Sequence, residues 1–222
     1  MAKSISVILV AGGSGKRMGS DLPKQFLPLN GKPILLHTLE NFYSWNKQCE
    51  LIVVLPKQEM QLWAEILEKH ECKIEHKTVP GGKERFNSVA NGLEIATSEL
   101  VFIHDGVRPL VSHQTLNACL NNLATNEAVV PVLPMVDSVR LVKAGHNKAL
   151  NRSELFKVHT PQCFHTVKLK QAFNVEYNNK FTDDASVAED YGIAISLVES
   201  NEENIKITRP IDIVMAEYFL KQ

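Results

Sequence analysis

Lys16, Arg17 and Lys24 stand within nine residues of one another, around the glycine-rich run Ala11-Gly12-Gly13-Ser14-Gly15. Glycines let a backbone approach an anion closely, and successive N–H groups cradle phosphate oxygens. Cations fixed beside such a loop suit a triphosphate under attack at its α-phosphorus. That reaction builds negative charge on the equatorial and leaving oxygens, which guanidinium and ammonium groups stabilise more than the ground state. Pro23 before Lys24 stiffens the return of the loop. The spacing is not that of a Walker A loop, which would need glycine where Val10 stands and Ser or Thr where Arg17 stands. Nor is it G-x-G-x-x-G, because Met18 takes the place of the last glycine. On glycines and cations alone, a structural strand-to-helix turn with solvated lysines stays open.

Such a loop needs a strand before it and helices around it. Ser6–Val10, Glu50–Leu55, Leu100–His104 and Ala128–Val132 are short apolar runs rich in β-branched residues, and each reads as a buried strand. Helical spacing falls between them, over Pro33–Phe42, Gln58–Lys69, Glu84–Ala96 and Gln114–Leu123. Continuous apolar strands alternating with helices predict a mainly parallel sheet covered on both faces. Ligands in such sheets bind beyond the carboxyl ends of strands, where the glycine run lies. No repeat or low-complexity linker interrupts the pattern, so residues 1–222 are expected to form one domain. The stretch from Met135 to Arg152 breaks it: short, alternating, with a turn expected over Gly145–Lys148, it reads as a β-hairpin. An exposed hairpin is either a dimerisation arm or a solvent-facing meander.

Composition narrows the function. Hydrophobic residues make up 44%, charged residues 22%, and the formal net charge is −1. This is ordinary globular composition, without the basic excess expected of a nucleic-acid binder. The first apolar run is too short for a signal peptide or membrane span, and the four cysteines have no C-x-x-C spacing, so free thiols in the cytoplasm are expected. No H-E-x-x-H or tight histidine cluster suggests a metal centre, and His104 reads as a packed strand-end residue. Asp105, between that strand and a glycine turn, is either an active-site carboxylate or an Asx turn. Thr182-Asp183-Asp184 looks like a helix start, with the carboxylates mainly capping.

Further motifs follow in order: Pro23-Lys24-Gln25-Phe26-Leu27, Gly81-Gly82-Lys83-Glu84-Arg85 with Ser88, His104-Asp105-Gly106-Val107-Arg108-Pro109, Thr160-Pro161-Gln162, Thr182 to Ser186, and Asn204 to Pro210. With the first loop, this series resembles the 2-C-methyl-D-erythritol 4-phosphate cytidylyltransferases of the non-mevalonate isoprenoid pathway. The resemblance implies a Rossmann-like, glycosyltransferase-A-type α/β fold with a protruding dimerisation hairpin at about 135–155. It implies transfer of a cytidylyl group from CTP to the polyol phosphate, release of pyrophosphate, and a Mg²⁺ or other divalent cofactor.

Roles then carry over by position. Arg17 and Lys24 match the family's transition-state stabilisers, while Arg152 and Lys206 match the pair that positions the attacking phosphate. Ala11, Gly12, Gly13, Gly15, Gly82 and Ser88 match the nucleotide pocket. Asp105 is expected beside nucleotide and metal, directly or through water. Arg108, Ser138, Thr160 and Thr182 match the acceptor side. In this family the hairpin embraces a second subunit and its arginine completes the neighbour's site, so the resemblance implies a homodimer with shared sites. The chain departs from the common pattern at Val10 and Gly12, at Ser138 (usually Thr), at Asn151 (usually Asp) and at Phe156 (often Trp). None of these removes a cation. A ribitol-5-phosphate cytidylyltransferase would share the loop and the HD-x-x-RP motif. A non-catalytic nucleotide-binding relative would be expected to lose Arg17, Lys24, Arg152 and Lys206.

Overall fold

The structure, a computed structural model, describes residues 3–12 and 22–222. Strand β1 (Ile5–Val10) lies at the centre of the main sheet, every residue of it buried. It pairs in parallel with β4 (Glu50–Leu55) on one side and β6 (Leu100–Asp105) on the other. Beyond β4 comes parallel β5 (Lys77–Pro80). Beyond β6 the chain inserts antiparallel β11 (Gln162–His165), which also pairs with β7 (Ala128–Pro134). β7 takes β12 (Ile195–Glu199) in parallel and β10 (Phe156–Val158) antiparallel. The sheet is therefore mixed and mainly parallel, as its continuous apolar strands require.

Helices cover both faces because side chains alternate along each strand. Ile5, Val7 and Leu9 of β1 pack with α1 (Ile34–Trp45), α2 (Met60–Lys69) and α4 (His113–Asn122). Ile8 and Val10 pack with α3 (Arg85–Ile95), α5 (Thr166–Ala172) and α6 (Asp184–Asp190). A smaller cluster joins α7 (Pro210–Phe219) to Leu29, Ile34 and Val107, with β2 (Pro28–Leu29) and β3 (Lys32–Pro33) forming a two-stranded ladder beside it. Among the described residues, no helix is long and apolar enough to cross a membrane.

The expected hairpin is present as β8 (Val139–Lys143) and β9 (His146–Leu150), exposed along almost its whole length. Its turn is two residues earlier than expected: Lys143 pairs with His146, and Ala144 and Gly145 carry φ of 49° and 80°. A two-residue turn matching strand twist needs positive φ at both central positions, so Gly145 belongs inside the turn and not at its start.

Candidate active site

Three strand ends converge on one cleft of about 330 Å³. After β1, Ala11 donates its N–H to Val54 O at 2.9 Å; after β5, Gly81 donates to Leu55 O at 2.7 Å; after β6, Gly106 donates to Val10 O at 2.9 Å. Gly106 has no room for a side chain, since a Cβ there would fall 2.9 Å from Leu35 Cδ1 and 3.0 Å from Ala11 Cβ. The cleft is lined by small residues, Ala11, Gly12, Gly82 and Ser88, and by Lys24, Lys83, Arg85 and Lys206 against Glu84 and Asp105. Cations outnumber carboxylates, which suits a polyanionic ligand.

The loop between β5 and α3 is shaped by Ser88. Its hydroxyl accepts from Gly82 N–H at 3.1 Å and donates to Glu84 O at 3.1 Å. Glu84 N–H donates to Asn87 Oδ1 at 3.1 Å, giving the start of α3 one of the partners its free N–H groups lack. A Cβ on Gly82 would lie 2.3 Å from Asn87 Cβ, so this turn holds only glycine. With the Ser88 hydroxyl committed inside the loop, Gly82 presents only backbone to a ligand, beside Lys83 and Glu84.

Asp105 is the electrostatic centre. Arg108 Nε lies 3.1 Å and Lys206 Nζ 3.0 Å from its Oδ2, while Arg85 Nε is 3.5 Å from Oδ1. Burial alone would raise this carboxyl, but Arg85, Lys206 and Arg108 together hold it well below the usual carboxylate range. Behind it, Asp105 N–H donates to Thr160 Oγ1 at 3.1 Å, and Thr160 Oγ1 lies 3.1 Å from His104 Nδ1. His104 Nε2 lies 2.9 Å from Arg108 O. A carbonyl only accepts, so His104 carries its proton on Nε2, and the Thr160 hydroxyl donates to Nδ1. Burial lowers His104 to about 4, which keeps the ring neutral in this chain of bonds.

Lys206 reaches the cleft because its segment is bolted down on either side. Arg108 Nη1 donates to Asn204 O at 2.8 Å, Asn204 Nδ2 donates to Thr160 O at 2.8 Å, and Ile207 N–H donates to Val107 O at 3.0 Å.

This glycine-walled, cation-rich cleft sits on a chain that matches the 2-C-methyl-D-erythritol 4-phosphate cytidylyltransferase (IspD) family over residues 5–222. The chain belongs to that family. It is 44% identical, over 97% of its own length and 99% of the relative's, to the enzyme of that name from Bacteroides thetaiotaomicron. It is 36% identical, over 100% of the chain and 98% of the relative, to that from Syntrophus aciditrophicus. Among solved structures, the Francisella tularensis enzyme superposes with a TM-score of 0.82 at 31% identity, covering 97% of this chain and 99% of that one. The synthase from Anaerococcus prevotii gives 0.84 at 29% identity, covering 100% and 97%. The fold expected of a cytidylyltransferase is thus the fold observed, and the chain is a nucleotidyltransferase.

Of the family positions, the structure brings Ala11, Gly12, Lys24, Gly82, Ser88, Asp105 and Lys206 to the cleft. Gly13, Gly15, Lys16 and Arg17 lie outside the described residues. Arg108 and Thr160 are buried beside Asp105 and do not line the cleft. Thr182 is exposed just before α6, and Ser138 is exposed at the base of the hairpin. Arg152 is exposed too, with Nη1 donating to Val136 O at 2.6 Å in its own chain.

One reading of the carboxylates is corrected. Asp183 does cap α6, its Oδ1 accepting from Ser186 N–H at 2.9 Å. Asp184 does not: it is buried, and it takes both ends of the Arg85 guanidinium at 2.8 and 2.7 Å. Arg85 itself was overlooked as a site residue, although it closes the Gly81–Arg85 motif. An arginine opening a helix, against that helix's dipole, is the signal that could have marked it, since it needs a carboxylate nearby.

Proposed function

We propose that this chain transfers the cytidylyl group of CTP to the phosphate of 2-C-methyl-D-erythritol 4-phosphate. An oxygen of the acceptor phosphate attacks the α-phosphorus, the bond from that phosphorus to the β-phosphate bridging oxygen breaks, and pyrophosphate leaves with the electron pair. The phosphomonoester is already anionic near neutral pH, so no residue need act as general base. The observation that carries this reading is Lys206 Nζ, held 3.0 Å from Asp105 in a cleft whose other wall is glycine and Ser88. An ammonium there offsets repulsion between two anions and fixes the attacking oxygen in line.

Ala11, Gly12, Gly13, Gly15, Gly82 and Ser88 form the nucleotide side, with Lys24 and Arg17 on the triphosphate. Arg108 and Thr160 serve the acceptor side by fixing Asp105 and the Asn204–Lys206 segment, with Thr182 and Ser138 toward the polyol. Residues 1–222 act as one nucleotidyltransferase domain. Two copies pair through the hairpin, each lending Arg152 to the other's site. Exposed Val136, Leu141, Val142, Phe156 and Val158, at 45–70% of full exposure, support that pairing.

Among the described residues, no group of three or more His, Cys, Asp or Glu side chains is placed to hold a metal ion by itself. Magnesium commonly takes one carboxylate and completes its shell with substrate phosphates and water. Asp105 fits that single role through Oδ1, whose described cationic neighbour, Arg85, stands off at 3.5 Å. Bound there, the ion would supply charge neutralisation to the triphosphate.

The test is pyrophosphate release from CTP and Mg²⁺ with either methylerythritol phosphate or ribitol phosphate. Turnover with the first is expected; turnover with ribitol phosphate alone would overturn the assignment, and none with either would return the chain to nucleotide binding.

A further inference from the structure

Arg85 is the first residue of α3, directly after the nucleotide-side loop, yet its charge is spent on two other elements. Nη1 and Nη2 lie 2.8 and 2.7 Å from the two oxygens of Asp184, which opens α6, and Nε lies 3.5 Å from Asp105 at the end of β6. Asp184 is 1% exposed and does not line the cleft, whereas Arg85 does. The next residue, Phe86, grips the same segment. Its ring stacks on Phe173 at 4.8 Å and Phe181 at 5.7 Å, and lies 5.9 Å from Tyr177. The first turn of α3 therefore holds the chain from Phe173 to Asp184, which carries Thr182, by one ion pair and three ring contacts.

A buried ion pair is weak as a source of stability, because desolvation offsets most of its attraction. Its value here is geometric. The guanidinium grips Asp184 with both Nη atoms while its Nε stands 3.5 Å from Asp105, a spread of contacts on two elements that a lysine ammonium does not offer. From this geometry we infer that Arg85, locked by Asp184, is a positioning residue for cytidylyl transfer, setting the nucleotide wall against the acceptor wall. The inference rests on the reading that Thr182 and Asp105 face the acceptor and nucleotide. Without Asp184, Arg85 is free to swing toward the cleft and away from Asp105 Oδ1, and α6 keeps only its apolar packing with α3. The bound reactants then sit slightly out of line, which lowers turnover more than affinity.

The test uses Asp184→Asn and Arg85→Lys, assayed well below the melting temperature of each, with Leu116→Ala as a control. Leu116 is buried in the core between the sheet and α4, so its truncation lowers stability without touching the cleft. Both site variants are expected to lose about 10- to 100-fold in kcat with KM for CTP within about threefold, while the control keeps its kcat. Arg85→Lys keeps the positive charge and so reports even if Asp184→Asn does not fold. Normal kcat in a folded site variant, with only Tm lowered, would make the pair structural and overturn the inference. A rise of tenfold or more in KM for CTP at normal kcat would also overturn it, making Arg85 a nucleotide ligand. If the unaltered protein turns over neither acceptor, the functional reading fails first and takes this inference with it.

Discussion

Lys206 Nζ lies 3.0 Å from Asp105 Oδ2, the lysine side chain 40% exposed and the carboxylate 9%. The two partners differ in what they hold. Lys206 is half in solvent, so its removal costs less than about 1 kcal/mol of stability. Asp105 also pairs with Arg108, whose side chain is 10% exposed, so its removal leaves that buried cation without its carboxylate and costs about 3–5 kcal/mol. Lys206→Met is therefore expected to fold with nearly unchanged Tm and lose at least about 100-fold in kcat. Asp105→Asn is expected to lower Tm sharply. Thermal melts beside steady-state kinetics check both; comparable Tm losses in the two variants would mean that Lys206 is structural.

The glycines of the cleft are not equivalent. A Cβ on Gly12 would meet Ser88 Oγ at 3.4 Å, an ordinary contact, and Gly12 does not need positive φ. A Cβ on Gly82 would collide with Asn87 at 2.3 Å. Gly12→Ala should keep KM for CTP within about twofold, and Gly82→Ala should raise it at least about tenfold by displacing the loop. Titration of CTP in kinetics separates the two, and equal effects would show that the loop adapts.

Strands β1, β4, β6 and β7 were readable because all are buried on both faces and so spell unbroken apolar runs. Antiparallel β11 was not, since Gln162 and His165 interrupt its four residues. Motif spacing placed Ala11, Lys24, Gly82, Asp105 and Lys206, which share one end of the sheet. It did not reveal that Asp184 serves Arg85, because that pair joins elements 99 residues apart. Nor did it reveal that Thr160 stands behind Asp105: a hydroxyl in a motif reads the same whether it faces a ligand or a buried neighbour.

That buried hydroxyl makes its own prediction. Thr160→Val keeps the shape but leaves Asp105 N–H and His104 Nδ1 without their partner. Each unsatisfied buried group costs about 1–3 kcal/mol. Thr160→Val should thus lose more stability than Thr160→Ser, which keeps the hydroxyl and loses only a methyl. Urea unfolding measures the difference, and equal losses would place the whole effect in packing.

Acid should weaken the fold through His104. In the unfolded chain it takes up a proton near its ordinary 6.5, but in the folded chain only near 4. The unfolded state therefore binds more protons between these values, and stability falls as pH drops through that window. A displacement of this size amounts to about 3 kcal/mol between pH 6.5 and 4. His159, also lowered to about 4 by burial first and then by Arg108, acts in the same direction. Urea midpoints should fall steadily from pH 6.5 to 4.5, and a flat profile would mean that neither His104 nor His159 is held neutral by the fold.

The hairpin is tested by mixing two dead variants. Arg152 is exposed and makes its hydrogen bond to Val136 O near the base of the hairpin, so in a single chain it does not line the cleft that holds Lys206. If Arg152 completes the neighbour's site, Lys24→Ala and Arg152→Ala fail at different halves of a shared site. In a mixed dimer one site then carries both defects and the other carries neither. With equal amounts and free exchange, half the dimers are mixed and about a quarter of all sites are intact. Activity should recover to about a quarter of that of the unaltered protein after exchange, while each variant alone stays inactive. If Arg152 instead serves its own chain, every site in every dimer is defective. Mixed dimers verified by native mass spectrometry that show no recovery would then remove the shared-site assignment.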